Sequence, residues 1–459
     1  MTLLPFDPES WPAPLALVGG SVRDALLGRQ RSPLDLDLVT PAPALDLASR
    51  LARKLGAGFA VLDAEREIAR VILADGLTLD IARQQGKSLE TDLQRRDFTI
   101  NAIAYSVNTR KLIDPLDGQG DLKRRQLRAI SEANLRDDPL RILRAYRQAA
   151  QLDFTIHSET REMLIRCAPL LKQISAERVR EELAYLLACE RGADWLLTAH
   201  HDGVLADWLP ELKPLETIGP SGYHHLPLLE HTLEVVRQVD QAATDLADWL
   251  GDSLEKSIVG QRTIRHLTKW AALLHDIAKP ATQRRDPETD QLLGFPSHEI
   301  VGAEMTATIF QRLKFSKEEE RWVSALVRHH LRPGQLSNYD PPSARAIYRL
   351  FRDLGDMLPA LMVLAQADRR ATLGPKVTEE VLTRASQLTE MLLSRYLTPD
   401  DPMAHPVPLI DGRILMAELQ LSPGPQIGKL LAALQEAQAI GEVQTRDQAL
   451  ALARTLLKT

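Results

Sequence analysis

Cysteine is nearly missing from this sequence: Cys167 and Cys189 are the two in 459 residues, both within helical patterns. That excludes a disulfide framework or a cysteine-rich metal site and suits a reducing compartment. No apolar run approaches the length of a membrane span, so no membrane partner is expected. The N-terminus, MTLLPFDPESWPAPLALVGG, lacks a basic start and is broken by prolines, so no secretory leader is expected either. A soluble, cytoplasmic protein is the expectation. Basic residues are not in excess, with 56 Lys and Arg against 62 Asp and Glu and a net charge of −6. Any nucleic-acid surface must therefore be local. Low-complexity tracts and repeats of solenoid period are absent. The length suffices for three or four domains with proper cores.

What is present begins at residues 18–40, VGGSVRDALLGRQRSPLDLDLVT. Gly19, Gly20 and Ser21 make a turn, Arg23 and Asp24 open a short helical pattern, and a turn marked by Pro33 leads to Asp35 and Asp37. Side chains alternate along a strand, so these two acids share one face while Leu36 takes the other. Paired carboxylates repel unless a cation lies between them, and Mg²⁺ carrying a triphosphate is the usual one. D-L-D alone fits a solvated turn equally well. The Gly-Gly turn entering a helix tips the reading, because bare backbone N–H groups cradle phosphate there.

Short strand candidates separated by Gly or Asp turns fill residues 15–130: LALVGG, DLDLVT, FAVLDA, ARVILADGLTLDIAR and IDPL. Asp80, in GLTLDIAR, can share a face with the first acidic pair. After Asp138-Pro139 the pattern turns helical, with LRILRAYRQAAQL, SETREMLIRCAPLL and SAERVREELAYLLA in i, i+3, i+4 register. The last two open on Ser, a plausible N-cap. PELKPLETIGPSG reads as a linker near residues 210–222.

In QRRDFTINAIAY (94–105), Arg95 and Arg96 suit phosphate, while Asp97 and Asn101 suit a ribose, at the edge of a buried helix; a helix-capping Arg-Asp pair explains the run as well. DPLDGQGDLKRRQLRAI (114–130) is a Gly-rich connection followed by Lys123, Arg124, Arg125 and Arg128, a basic cluster or a solvated turn. In DDPLRILRAYR (137–147), Asp138 and Arg141 are three apart and expected on one helical face. An acceptor beside a forked donor can read a base edge, selecting CTP and ATP without a template; an intrahelical salt bridge is the plainer alternative.

Taken together, VGGSVRDALLG…DLDLVT, RRDFTINAIAY, DPLDGQGDL, DDPLRILRAYR and ISAERVREEL stand in the order found in class II tRNA nucleotidyltransferases. The chain resembles these bacterial CCA-adding enzymes and their poly(A) polymerase relatives over roughly residues 15–215. The resemblance implies an α+β fold, with a polymerase-β-like head (1–135) followed by an all-α neck (136–215). It implies Mg²⁺-dependent nucleotidyl transfer at Asp35, Asp37 and Asp80. Gly19, Gly20, Ser21 and Arg23 would hold the triphosphate. Arg96, Asp97 and Asn101 would face the ribose, Asp138 with Arg141 would template the base, and Arg144 and Arg147 would also bind the nucleotide. RNA contacts are expected at Lys123, Arg124, Arg125, Glu177 and Arg178. The partners implied are tRNA, CTP and ATP. Asp137-Asp138 stands where many relatives have Glu-Asp.

One departure bears on specificity. Residues 82–94, ARQQGKSLETDLQ, stand where the resemblance implies a longer flexible loop in full CCA-adding relatives, one that helps switch the site from CTP to ATP. The short form resembles the CC-adding branch, which leaves the terminal adenosine to an A-adding partner enzyme. Complete CCA-adding and A-adding enzymes are the alternatives, as is a poly(A) polymerase, disfavoured by a tail that is short and mixed in charge.

Residues 223–370 carry His231, His275-Asp276, His298, His329-His330 and Asp368, donor types suited to divalent metals. This stretch resembles an HD-superfamily phosphohydrolase domain, whose ligands map to His231, His275, Asp276 and Asp368, with His298 and His330 as further candidates. A phosphohydrolase whose head is inactive is the rival from another class; the intact D-x-D argues against it. The helical tail, 371–459, resembles the C-terminal part of HD-containing CCA enzymes and is a candidate tRNA contact.

Overall fold

The computed structural model describes residues 4–6, 11, 13–29, 35–220, 224–339 and 341–458. The turn expected at Pro33 lies outside the described residues. The chain forms two compact units, residues 1–207 and 208–459, and the fold is α+β.

The first unit is built on a seven-stranded sheet in the order β3-β4-β5-β2-β1-β6-β7. The strands are β1 (Ala16–Val18), β2 (Asp35–Thr40), β3 (Gly58–Asp63), β4 (Ile68–Ile72), β5 (Thr78–Arg83), β6 (Ala104–Ser106) and β7 (Lys111–Ile113). Strand β2 runs antiparallel to β1 and parallel to β5. Its even residues Leu36 and Leu38 are buried, as are Leu79 and Ile81 of β5 and Ala69 and Val71 of β4. Helix α1 (Gly20–Leu26) follows β1, and α2 (Ala44–Leu55) packs on β3, β4 and β5. Its buried Ala44, Leu47, Ala48, Leu51 and Ala52 follow the i, i+3, i+4 stripe of a helix covering a sheet. The opposite sheet face carries the acids.

Helices α3 (Leu89–Gln94), α4 (Gly118–Arg124), α5 (Glu132–Asp137), α6 (Leu140–Leu152), α7 (Ser158–Cys167), α8 (Ala176–Ala188) and α9 (Gly192–His201) complete this unit. Two local expectations need correction. RRDFTINAIAY is not helical: α3 ends before it, Phe98 bridges Ala129, residues Thr99–Asn101 make one 3₁₀ turn, and β6 follows. Ser158 is the first residue of α7, with His157 at the N-cap, and Ser175 caps α8 by position without a side-chain hydrogen bond.

In the second unit, α10 (Leu228–Asp245) packs against α11 (Ile264–Leu274) and α14 (Leu358–Ala371), with α12 (His298–Arg312) and α13 (Lys317–His329) alongside. Further helices, α15 (Glu379–Leu397), α16 (Gly412–Leu419), α17 (Pro425–Ala439) and α18 (Arg446–Leu456), carry the chain to its end. The supposed linker is ordered over Pro210–Thr217 as a 3₁₀ helix with Leu212 and Leu215 buried, and Arg312 holds Glu211 at 2.7 Å. Apolar spacing, not the prolines, decided that segment. Among the described residues no helix is long and apolar enough to cross a membrane.

Candidate active site and a second candidate metal centre

The sheet's register assembles the acids. Asp37 stands opposite Asp80 and Asp35 opposite Thr78 across the parallel β2–β5 pair. Directly opposed residues point to the same face, so all three carboxylates share it. Thr78 donates its hydroxyl to Asp35 at 2.6 Å. Asp80 is clamped by both forks of Arg70, its opposite number on β4, at 2.7 and 2.8 Å. Burial pushes the Asp37 carboxyl up to about 6, with Asp35 and Asp80 adding to the shift and Arg96 opposing it. A buried acid beside two others is a group that gains from a cation. Gly19 sits directly against it at φ +73°, where a Cβ would lie 2.9 Å from Asp37 Oδ2. Only glycine fits both the backbone angle and the space.

An open cavity of about 600 Å³ lies on this face, lined by Gly19, Gly20, Asp35 and Asp37 and by arginines that include Arg23, Arg96, Arg141, Arg144 and Arg147. Arg23 is 4% exposed. It donates to Asp24 at 2.8 Å and to Asn101 at 2.8 Å. Asn101 in turn donates to Asp97 at 2.9 Å and to Gln148 at 3.0 Å. Burial opposes ionisation of Asp97, but Arg144, Asn101 and the Phe98 N–H outweigh it and hold the carboxyl below its usual range. Arg144 and Arg147 both bond Glu182 of α8, Arg147 at 2.5 Å. Ser21 returns its hydroxyl to the Val18 carbonyl at 3.1 Å.

Asp138 and Arg141 do not meet on one helical face. Asp138 lies between α5 and α6 in extended conformation, with φ −136°. Its carboxylate accepts twice from Arg178 at 3.1 Å, and Arg141 donates to the Asn134 carbonyl at 2.9 Å. Pro139 explains the break, because the residue before a proline is pushed out of the helical region. Of the expected RNA contacts, Lys123 and Glu177 are exposed, Arg124 is held by Asp117 and Asp121, and Arg125 by Asp153.

The second unit brings together its own donors. His231 Nε2 stands 3.2 Å from Asp368, His275 Nε2 3.1 Å from Asp276, and His298 Nε2 3.2 Å from the other oxygen of Asp276. His231, His275 and Asp276 form one close group, and Asp276, His298 and His330 another. All five are buried. His329, next in sequence to His330, belongs to neither group. The His-Asp pair lies in the turn that ends α11, not on a helix. His275, His298 and His330 each place Nδ1 2.7–2.8 Å from the carbonyl three residues earlier. A carbonyl can only accept, so the proton sits on Nδ1 and the Nε2 lone pair faces inward. The four Nε2 atoms of His231, His275, His298 and His330 have no hydrogen-bond partner among the described residues. Buried unpaired imidazole nitrogens around two acids match the donor set of a divalent metal site.

Known proteins decide the family. The chain is 39% identical to the CC-adding tRNA nucleotidyltransferase of Synechocystis sp., covering 99% of this chain and 97% of that protein. It is also 39% identical to the A-adding tRNA nucleotidyltransferase of Deinococcus radiodurans, covering 97% and 95%. The chain belongs to the tRNA nucleotidyltransferase family. As such it is an enzyme of CCA-end synthesis. Residues 15–128 match the Poly A polymerase head domain, 153–216 the probable RNA and SrmB-binding site of polymerase A, and 228–373 the HD domain. Residues 301–453 match the putative tRNA nucleotidyltransferase domain 2. The fold is that of the Thermotoga maritima CCA-adding enzyme complexed with tRNA. The TM-score is 0.61 at 21% identity, covering 97% of this chain and 91% of that one.

Several residues of this tRNA nucleotidyltransferase's site escaped the sequence. Gln148 follows Arg141 and Arg144 at helical spacing, so periodicity could have found it. Glu182 lies inside ERVREEL, and a buried Glu in a neck helix signals a cation partner. Arg70 and Asn134 carry no local signal, because strand register and an interhelical contact place them.

Proposed function

We propose that this enzyme is of the CC-adding kind. It joins CMP from CTP to a tRNA 3′ end twice and stops, leaving the last adenosine to a separate A-adding enzyme. The observation that carries this reading is the connection from β5 to α3. It is residues 84–88 alone, where a nucleotide-switching loop would have to be, and it is tied down. Gln84 N–H donates to Thr40 O and Gln85 N–H to Asp92, both at 2.8 Å.

In this reading the 3′-oxygen bonds the α-phosphorus of CTP and pyrophosphate leaves. Asp35 and Asp37 would hold Mg²⁺, and the residues fit it: an acid raised to about 6 by burial beside another carboxylate gains from a divalent ion. When bound, such an ion activates the 3′-hydroxyl and offsets the triphosphate charge. Arg70 keeps Asp80 oriented on the same face. Gly19 and Gly20 let the triphosphate approach the start of α1. Asp97, Asn101 and Gln148 present a fixed polar wall to the ribose, with Arg23 and Arg144 bracing it. Asp138 accepts from the cytosine N4 amino group and Arg141 donates to N3 and O2. We assign head, neck, HD domain and tail to residues 1–135, 136–215, 223–370 and 371–459, and place the work in the cytoplasm with its tRNA.

The test offers CTP or ATP with tRNA lacking its tail, ending in C, or ending in CC. Labelling that stops after two C residues is expected; ATP joined to the CC end overturns the reading.

For the HD unit we propose a resident divalent ion, carried by the four orphan Nε2 atoms. It would supply Lewis-acid activation of a phosphoester. Metal analysis of the purified protein, with turnover of a chromogenic phosphate ester, tests it. A protein that neither carries nor takes up metal sinks the idea.

A further inference from the structure

Asn134, on α5, touches neither the acids nor the cavity, yet it joins the two halves of the nucleotide site. Its side-chain amide donates to the Gln94 and Arg96 carbonyls, both at 2.8 Å. Its own main-chain carbonyl accepts the Arg141 guanidinium at 2.9 Å and the Asp138 N–H at 3.3 Å. The Ser131 hydroxyl caps its N–H at 3.2 Å. On the far side, Arg96 reaches Asp92 at 3.4 Å, and Asp92, buried, takes the Gln85 N–H of the short connection. The same connection turns at Gly86, φ +90°, where a Cβ would lie 2.7 Å from Thr91 of α3. An unbroken run of bonds therefore leads from residues 84–88 through Asp92, Arg96 and Asn134 to both candidate base readers.

We propose that Asn134 is a positioning residue for base choice. It fixes Asp138 and Arg141 in one setting relative to the nucleotide floor, so that the site reads cytosine and does not reset for adenine. The proposal rests on Asp138 and Arg141 as the base readers. Every link except the Arg96–Asp92 ion pair includes a backbone group, so most of the setting is held through main chain. Two neutral donors on one amide hold the Gln94 and Arg96 carbonyls of a single backbone segment, and removing them takes this partner from both.

The test is Asn134→Asp, which keeps size and its own carbonyl but turns the donor amide into an acceptor that repels both carbonyls. On tRNA ending in C, the preference for CTP over ATP in kcat/KM is expected to fall about tenfold, chiefly through a higher KM for CTP, with kcat largely kept. Asp92→Asn, which retains an acceptor for Gln85 but weakens the hold on Arg96, is expected to give a smaller shift in the same direction. Arg141→Ala runs beside them. If Arg141→Ala changes base choice and Asn134→Asp leaves it intact, the positioning role is overturned while base reading stands. If Arg141→Ala leaves base choice intact, base reading falls and the relay falls with it. A lowered Tm in Asn134→Asp with unaltered base choice also counts against the proposal. Asp92→Asn decides the matter if Asn134→Asp does not fold, since unaltered base choice there overturns it.

Discussion

The two acid clusters of this chain answer the same electrostatic problem in opposite ways. On the head's sheet every carboxylate already has an answer from the protein: Thr78 for Asp35, Arg70 for Asp80, and Arg96 close to Asp37. The surrounding cavity is open, and arginine is the commonest residue in its wall. In the second unit the acids are ringed by imidazoles whose inward nitrogens have no partner among the described residues, in buried surroundings. Burying four unpaired imidazole nitrogens costs stability unless something binds them. The first arrangement suits a large charged substrate that arrives and leaves. The second suits an ion that stays, and helps hold the unit together.

That contrast can be broken at several points, the first with the greatest effect. Replacing Asp35 or Asp37 by Ala should reduce CMP addition by roughly 10³-fold or more, measured as label joined to tRNA. The metal content of the second unit should not change. Addition that survives both substitutions would move the chemistry away from β2.

Stripping metal should act the other way round. A site filled at about 1,000 times its Kd adds about 4 kcal/mol to the fold. Chelation, or His275→Ala, should therefore lower the Tm of the second unit by several degrees and leave Asp37→Asn protein equally sensitive. A melt that ignores the chelator would mean the orphan nitrogens are structural.

Base choice should respond to Asp138→Ala or Arg141→Ala by about tenfold, read as the CTP to ATP ratio, with Mg²⁺ dependence unaltered. The smallest effect belongs to pH. The folded Asp37 carboxyl titrates near 6 against an ordinary 3.8, so the folded state holds its proton more tightly than the unfolded chain does. Without divalent metal this residue takes stability away as pH rises from about 4 to about 6, and the loss is complete above 6. Thermal melts in chelator across that range should slope less for Asp37→Asn than for the parent, and equal slopes would place the raised titration elsewhere.

Much of the fold was readable because its signals are local. Strand alternation alone put Asp35 and Asp37 on one face. Of the linker expected over 210–222, Pro210–Thr217 is a 3₁₀ helix despite its prolines, because Leu212 and Leu215 are spaced to be buried together. The helical reading of RRDFTINAIAY failed because an apolar run with polar insertions does not declare its period.

What the sequence by itself determined is chemistry at short range: two carboxylates one residue apart, glycines before a helix, a His-Asp pair, and too few residues between β5 and α3 for a long loop. Those follow from covalent spacing and backbone periodicity. Only the tertiary structure decided that Arg70 holds Asp80, that Asp138 turns to Arg178, and that four histidines 99 residues apart from first to last point their bare nitrogens inward (231 to 330). It also decided that Asn134 bridges two walls of one cavity. Each of those is a contact between elements, set by register and packing. No local pattern encodes which distant partner will satisfy a buried polar group, only that one must.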